Sequence, residues 1–313
     1  MMRSRQHGVA LLTAVVLVAL ATMLAVAIGS RGMLGARRSI ANSSLEQGLQ
    51  YAQGAEALAV WGLSQQRGAR DSLEQPWAQP LGPLEVAPGV LMAAQLSDEQ
   101  GKFNLNTLIN ARGEVDPEAL KLFTRLLELL QLEPRWAVLW ADWIDTDVLP
   151  GSNGAEDSVY LSQTVPHRAA NMPVTSISEL LQLPGFDLAR YTRLAPYVTA
   201  LPPAANKINV CTAAGPLLDA LFVLSPQGNA TTEYSRMSAL ELAALRKRGC
   251  FPELAVLRST VGASVERRAT EQSRFFRLRS DIGIGTDHFA LYSLLIREDS
   301  GLVRPLLRTL GTE

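Results

Sequence analysis

From Val9 to Ile28 every residue is apolar except Thr13 and Thr22, and no Asp, Glu, Lys or Arg occurs between Gln6 and Ser30. Twenty helical residues rise ~30 Å, the thickness of a bilayer's hydrocarbon core. Two threonines are tolerable there, because each hydroxyl can bond back to a carbonyl of the preceding turn. Beyond this run the period stays helical. Leu45, Leu49, Ala52, Glu56, Ala59 and Leu63 recur at three- and four-residue steps, which predicts helix from 31 to about 67. Gly32, Gly35, Gly48 and Gly54 each weaken that helix by ~1 kcal/mol against Ala. Pro76, Pro80, Pro83 and Pro88, with Gly82 and Gly89, predict a loop, and Val90 to Leu96 a short strand.

A local echo follows. Lys102-Phe103-Asn104-Leu105-Asn106-Thr107 recurs as Lys207-Ile208-Asn209-Val210-Cys211-Thr212. The pair reads as the two edges of a helical insertion, 107–206, whose ends return to one place; chance likeness of two strand-to-helix turns is the alternative. Inside it, Asp116-Pro117 starts a helix striped by Leu120, Phe123, Leu127 and Leu130. Pro134 opens a second, with Val138, Trp140 and Ala141 inward, and Ser176 with Glu179 forms a capping box. More helix is expected to about Val261. The last fifty residues alternate instead, at Phe276–Arg279 and Ala290–Leu294, with turns at Gly283-Ile284-Gly285 and Asp299-Ser300-Gly301 and a third candidate strand at Val303–Leu310. That pattern predicts an antiparallel sheet of three or four strands and an α+β fold.

Composition narrows the function. The 313 residues are 47% apolar and 19% charged, with 29 Lys+Arg against 30 Asp+Glu and a net charge of -1. This is ordinary globular material, not a disordered chain, and it exerts no global pull on nucleic acid or anionic lipid. Two cysteines, Cys211 and Cys250, are too few for a disulfide framework or a four-cysteine zinc site. They would pair in a periplasmic domain, adding up to ~4 kcal/mol, and stay buried thiols in a reducing compartment.

One segment suggests metal chemistry. Asp142, Asp145, Asp147, Glu156 and Asp157 crowd into sixteen residues with no cation among them, around the turn Pro150-Gly151-Ser152-Asn153-Gly154. A helix ends at Asp145 and Asp147, where its dipole disfavours anions. Hard oxygen ligands on a flexible loop suit Ca²⁺. Counting Asp145 as position 1 of an EF-hand places Asp147 at 3, Asn153 at 9 and Glu156 at 12, but Leu149 and Pro150 at 5 and 6 exclude a true EF-hand. The candidate ligands are Asp145, Asp147, Asn153, Glu156 and Asp157; a solvated acidic loop is the alternative. Leu180 to Phe186, with Leu183-Pro184-Gly185, has the form of a helix-hairpin-helix turn. Its nearby cations, Arg190 and Arg193, face Glu179 and Asp187, so a compact helical corner is favoured over a phosphate site. His7, His167 and His288 stand in no catalytic arrangement and read as lone histidines. No HExxH, GxSxG or P-loop occurs, and nothing in the sequence points to an enzyme.

The amino terminus has three readings. A secretory signal would have a shorter apolar core and a small-x-small site after it. A plain anchor would fit, though arginines on both sides of the span leave its orientation open. The third reading rests on the junction: a basic leader with Arg3 and Arg5, ending at Gly8 before Val9-Ala10-Leu11-Leu12-Thr13, resembles a type IV prepilin signal. The resemblance implies cleavage by prepilin peptidase between Gly8 and Val9. Pilins usually carry Glu at the fifth mature position, to neutralise the amino terminus of a neighbouring subunit; here that position is Thr13. A subunit with none above it does not need that carboxylate.

Taken together, these segments resemble the K-type minor pseudopilin of type II secretion, the general secretion pathway protein K family. The resemblance rests on Gly8-Val9-Ala10-Leu11-Leu12 without the usual Glu, and on Asp142-Trp143-Ile144-Asp145-Thr146-Asp147. Gly154-Ala155-Glu156-Asp157 with Tyr160, Ser178-Glu179-Leu180 and Lys207-Ile208-Asn209-Val210 add to it. It implies a pilin-like fold, a long helix on an antiparallel sheet, with a large inserted helical domain. The expected division is 1–8 leader, 9–30 membrane and assembly helix, 31–106 and 207–313 pilin-like core, and 107–206 insertion. It also implies calcium near the insertion, I-type and J-type minor pseudopilins as partners, and a periplasmic head on an inner-membrane helix. The implied role is to cap a pseudopilus that exports secreted cargo, without catalysis and without nucleic acid. Two alternatives stay open: an anchored periplasmic calcium-dependent binding module, and a DNA-binding pseudopilin using the hairpin.

Overall fold

The computed structural model of the chain describes residues 7–66, 68, 70–222, 250 and 267–311. Its elements begin with α1 (His7–Gln65), β1 (Leu81–Ala87), β2 (Val90–Asp98), β3 (Phe103–Asn104) and α2 (Pro117–Leu129). Then come α3 (Arg135–Ile144), α4 (Asp157–Tyr160), α5 (Leu188–Leu194), β4 (Val198–Thr199), β5 (Ile208–Asn209) and α6 (Gly215–Phe222). The chain closes with β6 (Ala269–Thr270), β7 (Phe275–Ile284), β8 (Asp287–Arg297) and β9 (Val303–Leu310). Most of the helix expected between 223 and 261 lies outside the described residues.

α1 has two halves. From Leu11 to Ser43 its described side chains are all exposed. This half is long and apolar enough to cross a membrane, with a mean hydropathy of 2.8 over its most apolar window. Burial begins at Gly48 and returns at Ala52, Ala55, Glu56 and Leu63, a helical stripe laid on the sheet. Gly48 is there for proximity: a Cβ would stand 2.6 Å from the Phe289 ring of β8. At Gly54 a Cβ would meet nothing within 4 Å.

The sheet has five strands in the order β1-β2-β7-β8-β9, all antiparallel. Three or four were expected. The extra strand is β1, in the stretch read as a loop from its prolines and glycines. Pro83 sits inside it after a cis peptide bond. β1 is an edge strand, the one place in a sheet where a missing N–H is tolerated. Leu63, Trp77, Phe276, Leu278 and Leu295 fill the space between α1 and the sheet.

The helical domain leaves the sheet after Asp98, the last residue of β2, and rejoins it at Phe275, the first of β7; Asp98 and Phe276 are registered partners. Among the described residues its core extends beyond 107–206. Ile208, Val210, Leu217, Leu218 and Leu221, assigned from sequence to the sheet core, belong to the same buried cluster as Phe123, Trp136 and Trp140. The echo is structural. Asn104 Oδ1 accepts from the Asn106 backbone N–H at 3.2 Å, and Asn209 Oδ1 from that of Cys211 at 2.9 Å. Each opens a unit that closes on a parallel two-stranded ladder, β3 with β4 and β5 with β6. The two units meet where Gln100 Nε2 donates to the Lys207 carbonyl at 3.2 Å.

Helix interiors follow the sequence with adjustments. Asp116 caps α2, accepting from the backbone of Glu118 at 2.9 Å and Ala119 at 3.1 Å. The buried face of α2 is Ala119, Leu122, Phe123, Leu126 and Leu127, while Leu120 is only partly covered. The capping box at Ser176 does not form. Ser176 accepts from the Ser178 backbone at 3.2 Å, and Glu179 instead accepts from the Trp143 indole at 3.2 Å.

Candidate metal centre

α3 carries Trp136, Trp140, Trp143 and Ile144 into the core, which fixes where its last turn points. Asp142 and Asp145, three residues apart, share one face of that turn. Both are buried, 3% and 5% exposed. Asp142 Oδ2 accepts from the Gly151 backbone N–H at 2.9 Å and folds the loop back over the helix end. At Gly154 any Cβ would overlap the Asp142 carboxylate, so glycine is required there. The loop returns at Glu156, 3% exposed, just ahead of α4.

Asp145, Asp147 and Glu156 converge, each offering an oxygen within 4.8 Å of the others. Oxygens bound 2.3–2.6 Å from one Ca²⁺ lie at most about 5 Å apart. Asp145 Oδ1 and both Glu156 oxygens are buried without a hydrogen-bond partner. Burial, followed by the charges of Asp147 and Asp142, pushes the Asp145 carboxyl up to about 7. Burial, then Asp145, Asp142, Asp147 and Asp157, pushes Glu156 up to about 7 as well. Burial raises Asp142 too. Three converging carboxylates, two of them with orphaned buried oxygens, fit a hard divalent cation, which would compensate their charge.

The other two candidates lie on the loop and at the start of the next helix. Asn153 is exposed, at φ 66, in the turn closed by the Gly154 N–H to Gly151 carbonyl bond of 2.9 Å. Asp157 starts α4, accepts from the Ala169 backbone at 3.0 Å, and faces Arg168 at 3.8 Å. Asp142 and Tyr160, outside the expected ligand set, border the trio through the loop bond to Gly151 and the ring contact with Trp143. The signal for Asp142 was its three-residue spacing from Asp145, together with the two glycines that fold over it.

Cys211 and Cys250 form a disulfide, with Cα atoms 4.3 Å apart. Gly8 and Val9 lie in the first turn of α1. The hairpin is a packing corner: Leu180, Leu183 and Phe186 are buried, and Phe186 meets Trp136 edge-on at 5.1 Å. Arg190 pairs with Asp187 at 2.6 Å, and Arg193 donates to the Leu130 carbonyl at 3.4 Å, so both cations are engaged within the protein. His167 is not a lone surface histidine, since its ring packs on Trp143 and Tyr160.

A long helix whose first half is bare and apolar, and whose second half lies on an antiparallel sheet, defines the pilin-like class. Residues 101–203 match the family model described as type II secretion system protein K. Type II secretion system protein K of Pseudomonas aeruginosa is 33% identical over 99% of this chain and 94% of its own length. The protein of the same name from Klebsiella pneumoniae is 40% identical over 67% of this chain and 68% of its length. The GspK-GspI-GspJ complex of the enterotoxigenic Escherichia coli type 2 secretion system contains a chain of similar structure. Its TM-score is 0.74 at 27% identity, over 88% of this chain and 100% of that one. The chain belongs to the type II secretion system protein K family.

Proposed function

We propose that the chain caps the tip of the type II secretion pseudopilus, together with I-type and J-type minor pseudopilins. The observation that carries this reading is the continuity of α1. One uninterrupted helix runs from a fully exposed apolar half into the buried stripe of the head. Such a helix serves first as an inner-membrane anchor and then, after prepilin peptidase cuts between Gly8 and Val9, as a spine among other spines. Thr13 at the fifth mature position fits a subunit with none above it. The head offers a further apolar surface, a groove of about 680 Å³ between α1 and β1 lined by Leu58, Trp61, Leu84 and Val86. The similarity to a chain of a GspK-GspI-GspJ complex supports the choice of partners. A calcium ion at Asp145, Asp147 and Glu156 would hold the loop of the helical domain in one conformation. The role is assembly and export of cargo, with no step of covalent chemistry.

Intact mass of the membrane-extracted protein, with and without prepilin peptidase, tests the processing. Loss of residues 1–8 with one added methyl group is expected. A retained leader in the presence of active peptidase would favour an anchored binding module instead.

A further inference from the structure

Tyr160 is a buried polar side chain beside this centre that the carboxylates leave unexplained. It is 0% exposed. Its ring is fixed on two sides, edge-on to Trp143 at 4.9 Å and tilted against His167 at 5.3 Å between centroids. A ring held this way has little freedom in where it aims its hydroxyl. The hydroxyl has no hydrogen-bond partner in the protein. Burial, then the nearby charges of Asp142 and Glu156, hold its proton on more firmly. A buried hydroxyl left unpaired costs ~1–3 kcal/mol, and phenylalanine would fill the same space without that cost. Tyr160 follows Glu156 by one helical turn, its backbone N–H donating to the Glu156 carbonyl at 3.3 Å, so the two side chains share a face, and both Glu156 carboxylate oxygens are likewise buried without a partner.

We infer that Tyr160 is a positioning residue for the cation centre. With the cation bound, its hydroxyl donates a hydrogen bond into the ligand shell on the Glu156 side, to the carboxylate itself or to a water on the ion. The bond fixes the orientation in which Glu156 meets the metal. Partners of this outer kind are worth 10–100-fold in metal affinity. The inference rests on the reading of the centre as a calcium site.

Tyr160→Phe keeps the ring and removes the hydroxyl. The test titrates Ca²⁺ into chelator-treated full-length protein in detergent, by calorimetry, for the wild type, Tyr160→Phe and the ligand variant Glu156→Gln. Terbium emission sensitised by Trp143, with its decay in H2O and D2O, counts metal-bound waters in the same proteins. Expected are an affinity about 10–100-fold weaker in Tyr160→Phe, a changed terbium decay, and a melting temperature in chelator at or above that of the wild type. Wild-type affinity and decay in Tyr160→Phe would overturn the inference while leaving the calcium site standing. A wild-type protein that binds no Ca²⁺ would overturn the calcium reading and the role of Tyr160 with it.

Discussion

Arg308, near the end of the last strand, closes a two-point ion pair on Glu56 of α1, Nη2 to Oε1 at 2.7 Å and Nε to Oε2 at 2.8 Å. Ser293 adds a hydroxyl to the same carboxylate at 2.6 Å. Burial alone would raise the Glu56 carboxyl; Arg308 and Ser293 outweigh it and hold it below its ordinary value. The pair fastens α1 to the sheet in the half of the helix that is buried.

Arg308→Ala leaves Glu56 buried and uncompensated. Because Arg308 is itself half exposed, the expected loss is about 1–2 kcal/mol, below the range for fully buried pairs. A carboxylate with a depressed pKa gives stability that is present above ~4.3 and is lost as pH falls through its folded value. Urea midpoints at pH 7 and pH 3 check this: the variant should lose more at pH 7 than at pH 3.

Gly48 and Gly54 should respond oppositely to alanine. Gly48→Ala drives a methyl into the Phe289 ring and should destabilise by about 1–3 kcal/mol, as overpacking does. Gly54→Ala meets open space and should stabilise by about 0.5–1 kcal/mol through helix propensity. Thermal melts of the two variants decide it.

Calcium binding should be proton-linked. Asp145 and Glu156 sit at about 7 without the ion. Between pH ~4 and ~7 the folded protein then keeps protons that the unfolded chain has released, so calcium-free stability falls as pH rises through that window. Calcium must displace those protons, so its affinity should weaken as pH falls from 8 to 6. Calorimetry in buffers of different ionisation enthalpy measures the protons released. Melting in chelator and in calcium across the same pH range should show the largest difference at the high end.

The disulfide predicts a redox effect. Cys211 lies beside the Asn209 turn, in the buried cluster of the helical domain, and Cys250 joins that cluster from 39 residues on. Replacing both by alanine should cost up to ~4 kcal/mol of stability. Adding reductant should lower the melting temperature of the wild type and leave the double variant unmoved.

Much of this architecture can be read from residue patterns. Val9 to Ile28 and the stripe from Ala52 to Leu63 mark both halves of α1, and alternation marks β7, β8 and β9. β1 hides because its prolines and glycines read as a loop, and only its edge position makes them acceptable. The extent of the helical domain hides for another reason. Ile208, Val210, Leu217, Leu218 and Leu221 are apolar in any assignment, and only the pairing of β5 with β6 sends them to the helical core rather than the sheet. At the proposed cation centre, Asp145, Asp147 and Glu156 are legible as acidic residues around a glycine turn. Asp142 is legible as one of those acidic residues but its bond to the returning loop is not, and Tyr160 is not legible at all, because both depend on side chains from separate segments facing one another.

The most direct test of the capping role is assembly with the cognate I-type and J-type minor pseudopilins. Their soluble heads, mixed with the head of this chain in calcium, would be weighed by light scattering across a size-exclusion peak. One species containing one copy of each subunit is the expected result. Separate elution of this head, while the other two associate, would contradict it.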